Sequence, residues 1–146
     1  MSSLDGRSYL VTGAAAGIGA AVTDELRAAG ARVLAVDIEA ADDEDSVGAD
    51  LTVAEENARV VEEARERFGR LDGVVANAGV QHVAPVAEFP VEEWNRILAL
   101  MLTSPFLLAK AAWPSLVDSH CATMRPRMSF GPPAGNPMTK RTGLVG

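Results

Sequence analysis

The stretch TGAAAGIG, Thr12 to Gly19, sets three glycines, Gly13, Gly17 and Gly19, between a short apolar run and the amphipathic segment Ala20 to Ala29. Glycine loses backbone entropy on folding and weakens any helix it enters, so such a cluster needs a reason. Backbone N–H groups at a helix start, with the positive end of the helix dipole, form an anion site, and residues without side chains let a diphosphate come close. Ordinary tight turns use the same residue, so the glycines alone decide nothing. Asp37 stands eighteen residues after Gly19, at the end of a second apolar run. A carboxylate there accepts from both ribose hydroxyls of an adenosine and repels a 2′-phosphate; the alternative is a helix cap or a loop charge. Together the two features point to a dinucleotide, and to NAD in preference to NADP.

Other chemistry is sparse. Two histidines and one cysteine leave little material for a transition-metal site, and none is assigned. The lone Cys121 has no internal disulfide partner, which suits a reducing compartment. A net charge of −7 opposes nucleic acid and anionic membrane surfaces as partners. The first residues lack a basic, apolar leader, and no run reads as eighteen apolar residues, so the expectation is a soluble, cytoplasmic protein without a membrane partner.

The elements that position these groups follow from periodicity. With 146 residues, 48% of them hydrophobic, one domain with a real core is expected. Arg7 to Thr12 reads as a buried strand. Ile18, Val22 and Leu26 recur at four-residue steps on one helical face, which Gly30 terminates. Ala31 to Asp37 is a second strand. EAADDED, Glu39 to Asp45, reads as a solvated loop before a metal site, and Val47 to Asp50 as a short third strand. Thr52 with Glu55 forms a capping box for a helix whose stripe is Val53, Val60, Val61, Ala64 and Phe68, with Gly69 just past its end. LDGVVANAG reads as a fourth strand leaving into a turn. Glu92 to Trp113 carries Trp94, Ile97, Leu98, Met101, Leu102 and Phe106 at helical spacing, with a kink expected at Pro105. The fold class is α/β, a doubly wound parallel sheet of about four strands, βαβαβαβα in outline.

TGAAAGIG resembles the TGxxxGxG cofactor loop of the short-chain dehydrogenases/reductases, and NAG at Asn77-Ala78-Gly79 is similar to that family's strand-four motif. The resemblance covers about residues 4–114 and implies a Rossmann-like fold. It also implies that Gly13, Ala15, Gly17, Ile18 and Gly19 hold the cofactor, that Asp50 and Leu51 flank its adenine, and that Asn77, Ala78 and Gly79 lie along it. The Asn77 amide has an equal alternative, tying strand ends together by hydrogen bonds. Ala78 to Trp94 looks like the segment of NAD-dependent D-3-hydroxybutyrate dehydrogenases whose glutamine, here Gln81, helps bind the substrate carboxylate. The adjacent His82 is read as a packing or loop residue. In the resembling family the partner is a small-molecule substrate. The resemblance implies an oligomer interface on the 92–113 helix, and without the family's fifth strand Val74 and Val75 are expected on an exposed apolar edge, so a homo-oligomer through that helix or that edge is expected.

Departures from the family are as informative. Its helical asparagine is replaced by Met101, read as core. Its Tyr-x-x-x-Lys is absent, because the only tyrosine is Tyr9, in the first strand. No catalytic residue is therefore assigned, and Ser129 has no tyrosine partner. Residues 1–114 are read as the nucleotide-binding portion and 115–146 as an irregular proline-rich tail, a candidate product of a frame shift near Leu116. Weighed against an oxidoreductase are a non-catalytic dinucleotide-binding or interaction module, and a related activity such as ketoacyl reduction or sugar dehydrogenation.

Overall fold

A computed structural model of the chain describes residues 4–40 and 44–124, with side chains as far as Ser119. Four strands, β1 (Ser8–Thr12), β2 (Arg32–Asp37), β3 (Ser46–Gly48) and β4 (Gly73–Val75), form one sheet in the order β3-β2-β1-β4. All pairings are parallel, with Leu10 opposite both Leu34 and Val74. Successive side chains of a strand face opposite ways, and the sequence uses both faces. Leu10, Leu34 and Val36 enter a core closed by Val60, Val61 and Ala64 of α2 (Ala54–Phe68) and by Leu108 and Ala112 of α4 (Ser104–Met124). Val11 and Val33 face the other way, beneath Val22 and Leu26 of α1 (Gly17–Ala28). Helices thus cover both faces, which makes the sheet doubly wound. No helix lies between β2 and β3 among the described residues, so the strictly alternating outline is corrected there.

Helix ends follow their glycines. Ala31 N–H donates to Leu26 O at 3.0 Å and Gly30 N–H to Arg27 O at 2.9 Å, a Schellman closure with Gly30 at φ +88°. Gly69 closes α2 at φ +73°, its N–H 2.7 Å from Arg65 O. The start of α2 differs from expectation. Helix α2 begins at Ala54 with Val53 as N-cap and no side-chain cap, because Thr52 is engaged elsewhere: its N–H and hydroxyl both donate to Asp50 Oδ1, at 3.0 and 2.7 Å. The charge-assisted bond holds the Thr52 side chain toward Asp50. The third strand is likewise shorter and earlier than read, Ser46–Gly48.

Ile18 is 74% exposed, not on the inward face. Gly19 and Thr23 face inward instead, because Gly19 packs against the Gly13 carbonyl and so sets the rotation of the first turn.

The long C-terminal helix needs more correction. It consists of α3 (Val91–Leu98), a π-helical turn over Ala99–Thr103, and α4. The wider turn shifts the rotational register, so Leu100, Ser104, Leu108 and Ala112 face the core while Trp94, Met101, Leu102 and Phe106 stand out. Met101 is therefore not core. The irregularity precedes Pro105, which lacks the N–H that an α-helix would aim at the Met101 carbonyl. Helix α4 also continues through Pro114 to Met124, which corrects the expectation of irregular chain from Ser115 over that stretch. Readings of residues 125–146 lie outside the described residues. Val91–Ser119 is long and apolar enough to cross a membrane by length and composition, with mean hydropathy 1.4 in one window, so the expectation that no stretch approaches that mark is corrected. Here its Leu108 and Ala112 pack into the core beside α2.

At the opening end of the sheet, Asp72 accepts from Ser8 N–H at 2.9 Å and from Arg70 Nε at 2.8 Å. Burial opposes its ionisation, yet the Arg70 and Ser8 donors together hold its carboxyl below the usual carboxylate range. A folded pKa below the unfolded one means that the stabilisation is present above the unfolded value, near 3.8, and is lost as pH falls through the folded value. Asp72→Asn is expected to cost about 1 kcal/mol at neutral pH, with the gap to wild type closing under strongly acidic conditions. Urea melts on either side of that window check it; a gap independent of pH would refute the assignment.

Candidate nucleotide crevice

Thr12, the last residue of β1, organises the strand ends. Its hydroxyl accepts from Asn77 N–H at 3.0 Å and Ala78 N–H at 3.1 Å, and the Asn77 side-chain Nδ2 donates to Thr12 O at 3.1 Å and Gly13 O at 3.2 Å. The tie between strand ends that the sequence allowed for Asn77 is thus formed, and its amide is engaged behind the glycine loop.

The three glycines divide by cause. A β-carbon on Gly13 would lie 2.9 Å from Ala78 Cα, and one on Gly19 would lie 2.0 Å from Gly13 O and 2.6 Å from Asn77 Nδ2. Both positions are fixed by protein packing. Gly17 alone, at φ +59°, faces open space with nothing within 4 Å of such an atom. Packing by itself therefore accounts for glycine at positions 13 and 19, and not at 17. Helix α1 starts there from Ala16 with no side-chain cap and no acidic residue in its first turn. Its first N–H groups consequently face no carboxylate from the helix's own first turn that would compete with a bound anion.

Asp37, at the tip of β2, reaches across to this loop: its Oδ2 accepts from Ala15 N–H at 3.1 Å and its Oδ1 from Glu39 N–H at 3.2 Å. Beside it opens a crevice of about 160 Å³. Gly13, Asp37, Asp50, Leu51, Ala78 and Gly79 line it, bringing together six of the residues read from the sequence. Ala15 joins them through Asp37, whereas Gly17 and the exposed Ile18 stand outside it, and Gly19 and Asn77 lie behind. The Thr52 hydroxyl and then its N–H hold the Asp50 carboxyl below its usual range, so it faces the crevice as an anion and hydrogen-bond acceptor. Gln81 is exposed on the loop after β4 and does not line the crevice. His82 meets Phe89 edge to face, ring centroids 5.2 Å apart, as a packing residue would.

Sequence reasoning missed the far wall. Arg96 of α3 and Leu100 of the π-turn close it, with Ile38 and Val80 at its margins. Nothing in the pattern flagged Arg96, because a cation on an amphipathic helix reads as solvated surface. A larger trough of about 710 Å³ lies along the free edge of β4, lined by Gly73, Val74, Pro105, Trp113 and Leu116. It is almost wholly apolar and is the bare edge expected at Val74, away from the glycine loop. No group of three or more potential metal ligands occurs among the described residues.

The sequence pattern described as short chain dehydrogenase matches residues 7–123. The chain is 36% identical over 126 residues to a D-beta-hydroxybutyrate dehydrogenase of Cupriavidus necator, covering 77% of this chain and 49% of that one. Its fold matches a solved short-chain dehydrogenase/reductase, glucose/ribitol dehydrogenase, from Brucella melitensis with a TM-score of 0.72 and 30% identity, covering 77% of this chain and 53% of that one. A blue fluorescent protein from a metagenomic library, solved with NADPH, matches with a TM-score of 0.70 at 25% identity, covering 77% and 52%. The chain spans about half the length of the curated relatives it matches.

Proposed function

Because the chain belongs to the short chain dehydrogenase family, we propose that its crevice holds the adenosine half of NAD and serves hydride exchange with a secondary alcohol, 3-hydroxybutyrate being the preferred candidate. The observation that carries this reading is the position of the crevice. It opens at the C-terminal ends of parallel strands, beside β1, from which the sheet extends to β2 on one side and β4 on the other. That reversal is the place where open α/β sheets bind dinucleotides. The residues present fit such a group: Gly17 bare and open, an uncapped helix start for the diphosphate, Asp37 for the ribose hydroxyls, and Asp50 with Leu51 at the adenine. NAD, when bound, supplies the hydride acceptor. Gln81, on its exposed loop, is the proposed partner of a substrate carboxylate.

A second reading concerns these 146 residues by themselves. Tyr9, their only tyrosine, lies over Gly73, 2.7 Å from where a β-carbon there would stand, and pairs in register with it near the opening end of the sheet. It is thus remote from the strand tips and supplies no proton there. We propose that this chain alone is a dinucleotide-binding module without turnover. Sugar dehydrogenation, the activity in the name of the Brucella relative, and ketoacyl reduction are the alternatives within the family. Trp94, Leu102, Phe106 and Trp113 leave an apolar helix face exposed, which supports self-association through that helix.

Calorimetry with NAD, an NADH-formation assay with 3-hydroxybutyrate and sedimentation on the same 146-residue preparation test these readings. The expected result is binding without turnover in a species whose mass rises with concentration. Absence of NAD binding would overturn the nucleotide reading, and turnover would overturn the module reading.

A further inference from the structure

The crevice has two walls from distant parts of the chain, the segment Ala49 to Thr52 after β3 and the helical segment carrying Arg96 and Leu100. One buried polar side chain joins them. Asn57 of α2 is fully enclosed, and its Nδ2 donates to Leu51 O at 3.1 Å and Val53 O at 2.9 Å. Its Oδ1 accepts from Ser104 Oγ at 2.6 Å. Ser104 is 2% exposed and is the first residue after the π-turn. The surrounding core is otherwise aliphatic, with Val60, Val61 and Leu108 among its members. Two apolar residues of similar size would fill such a site without the desolvation that an amide and a hydroxyl suffer there. What they would not do is fix direction.

Direction matters at this point because of the π-turn. Relaxation of a π-turn to α-helix shifts the preceding helix by one residue, about 100° of rotation at 3.6 residues per turn. Such a rotation would carry Leu100 and Arg96 out of the crevice wall. Ser104 anchors the turn at its C-terminal end, and through Asn57 the anchor is the same group that holds the Leu51 and Val53 carbonyls.

We propose that Asn57 and Ser104 are a positioning pair: their buried hydrogen bond sets the spacing between the two crevice walls and thereby the affinity for the adenosine half of a dinucleotide. Neither residue touches the crevice; both act through Leu51 and Leu100. The inference rests on the nucleotide reading given above.

The test is calorimetric titration of the 146-residue chain and its Ser104→Ala variant with NAD and with ADP-ribose. Losing the tie is expected to weaken both ligands about tenfold. Ser104→Thr, which keeps the hydroxyl, is expected to recover most of that loss. Val33→Ala, in the core beneath α1, lowers stability without touching either wall and is expected to leave affinity unchanged. If Ser104→Ala folds too poorly to titrate, Ser104→Cys, a weaker donor of similar volume, takes its place with a smaller loss in the same direction. Wild-type affinity in the serine variants, or an equal loss in Val33→Ala, overturns the pair as a positioning device while leaving the nucleotide reading intact. Failure of the wild-type chain to bind NAD overturns both.

Discussion

Gly19→Ala is expected to destroy the fold of the glycine loop, and Gly17→Ala to leave it standing. The alanine β-carbon at 19 would sit 2.0 Å from the Gly13 carbonyl oxygen and 2.6 Å from Asn77 Nδ2. Neither neighbour can yield, since the first is backbone and the second is held by its bonds to Thr12 O and Gly13 O. Relief requires moving α1 away from the sheet, which opens the core around Val11 and Val33. Overpacking that forces the backbone to shift costs about 3 kcal/mol or more, a large share of a total stability of roughly 5–15 kcal/mol. At Gly17 the added carbon meets nothing within 4 Å, so only the left-handed backbone at φ +59° opposes it. That strain is about 1–2 kcal/mol. Urea melts should therefore show a large loss of stability for Gly19→Ala and a modest one for Gly17→Ala. Calorimetry on the folded Gly17→Ala should nevertheless show NAD affinity down about tenfold or more, because a methyl group would stand where the proposed diphosphate approaches. Equal stability losses at the two positions would refute this division of labour.

That division shows what was legible in the sequence and what was not. Apolar runs bounded by glycine located β1, β2 and β4, and the closing roles of Gly30 and Gly69 followed from spacing alone, because those signals are local. The glycine cluster was legible as a strand-to-helix turn but not in its parts. Whether a glycine awaits a ligand or makes room for a neighbouring carbonyl depends on Gly13, Gly19 and Asn77 meeting across the fold. The same limit hid the α3–α4 register. The apolar residues Trp94, Met101, Leu102 and Phe106 keep helical spacing along the chain, yet the π-turn places them outward and brings Leu100 and Ser104 in. Asn57 and Ser104 drew no notice in the sequence, since nothing local records that each is the other's partner. At Thr52 two local signals competed. The Ser/Thr-to-Glu spacing suggested a cap, but the Thr52 side chain is held toward the Asp50 carboxylate and the helix starts one residue later, from Val53.

On the proposed nucleotide reading, Asp37→Asn is expected to bring NADP affinity close to that for NAD while preserving the glycine loop. The carboxylate accepts from Ala15 N–H and Glu39 N–H through separate oxygens. An asparagine retains one acceptor oxygen and can keep the bond to Ala15, the one that spans from β2 to the glycine loop; the Glu39 backbone is exposed and has water as a substitute. The variant thus removes the charge with little change of shape. In the wild-type chain a 2′-phosphate would stand beside Asp37, with Glu39 following it and Asp50 across the crevice. Like charges so juxtaposed cost several kcal/mol, or a preference for NAD of about a hundredfold or more. The residues immediately after Asp37 are Ile38 and Glu39, so no cation follows the strand tip to receive the phosphate. Arg96 lies on the opposite wall, on α3. Neutralising Asp37 should therefore bring NADP to within about tenfold of NAD, chiefly by weakening NAD and ceasing to repel NADP, rather than reverse the order. Competition titrations of the two cofactors, with thermal midpoints compared to confirm an intact loop, decide the matter. A wild-type chain that binds both equally would show that the carboxylate serves only the loop, and the selection argued for Asp37 would fall.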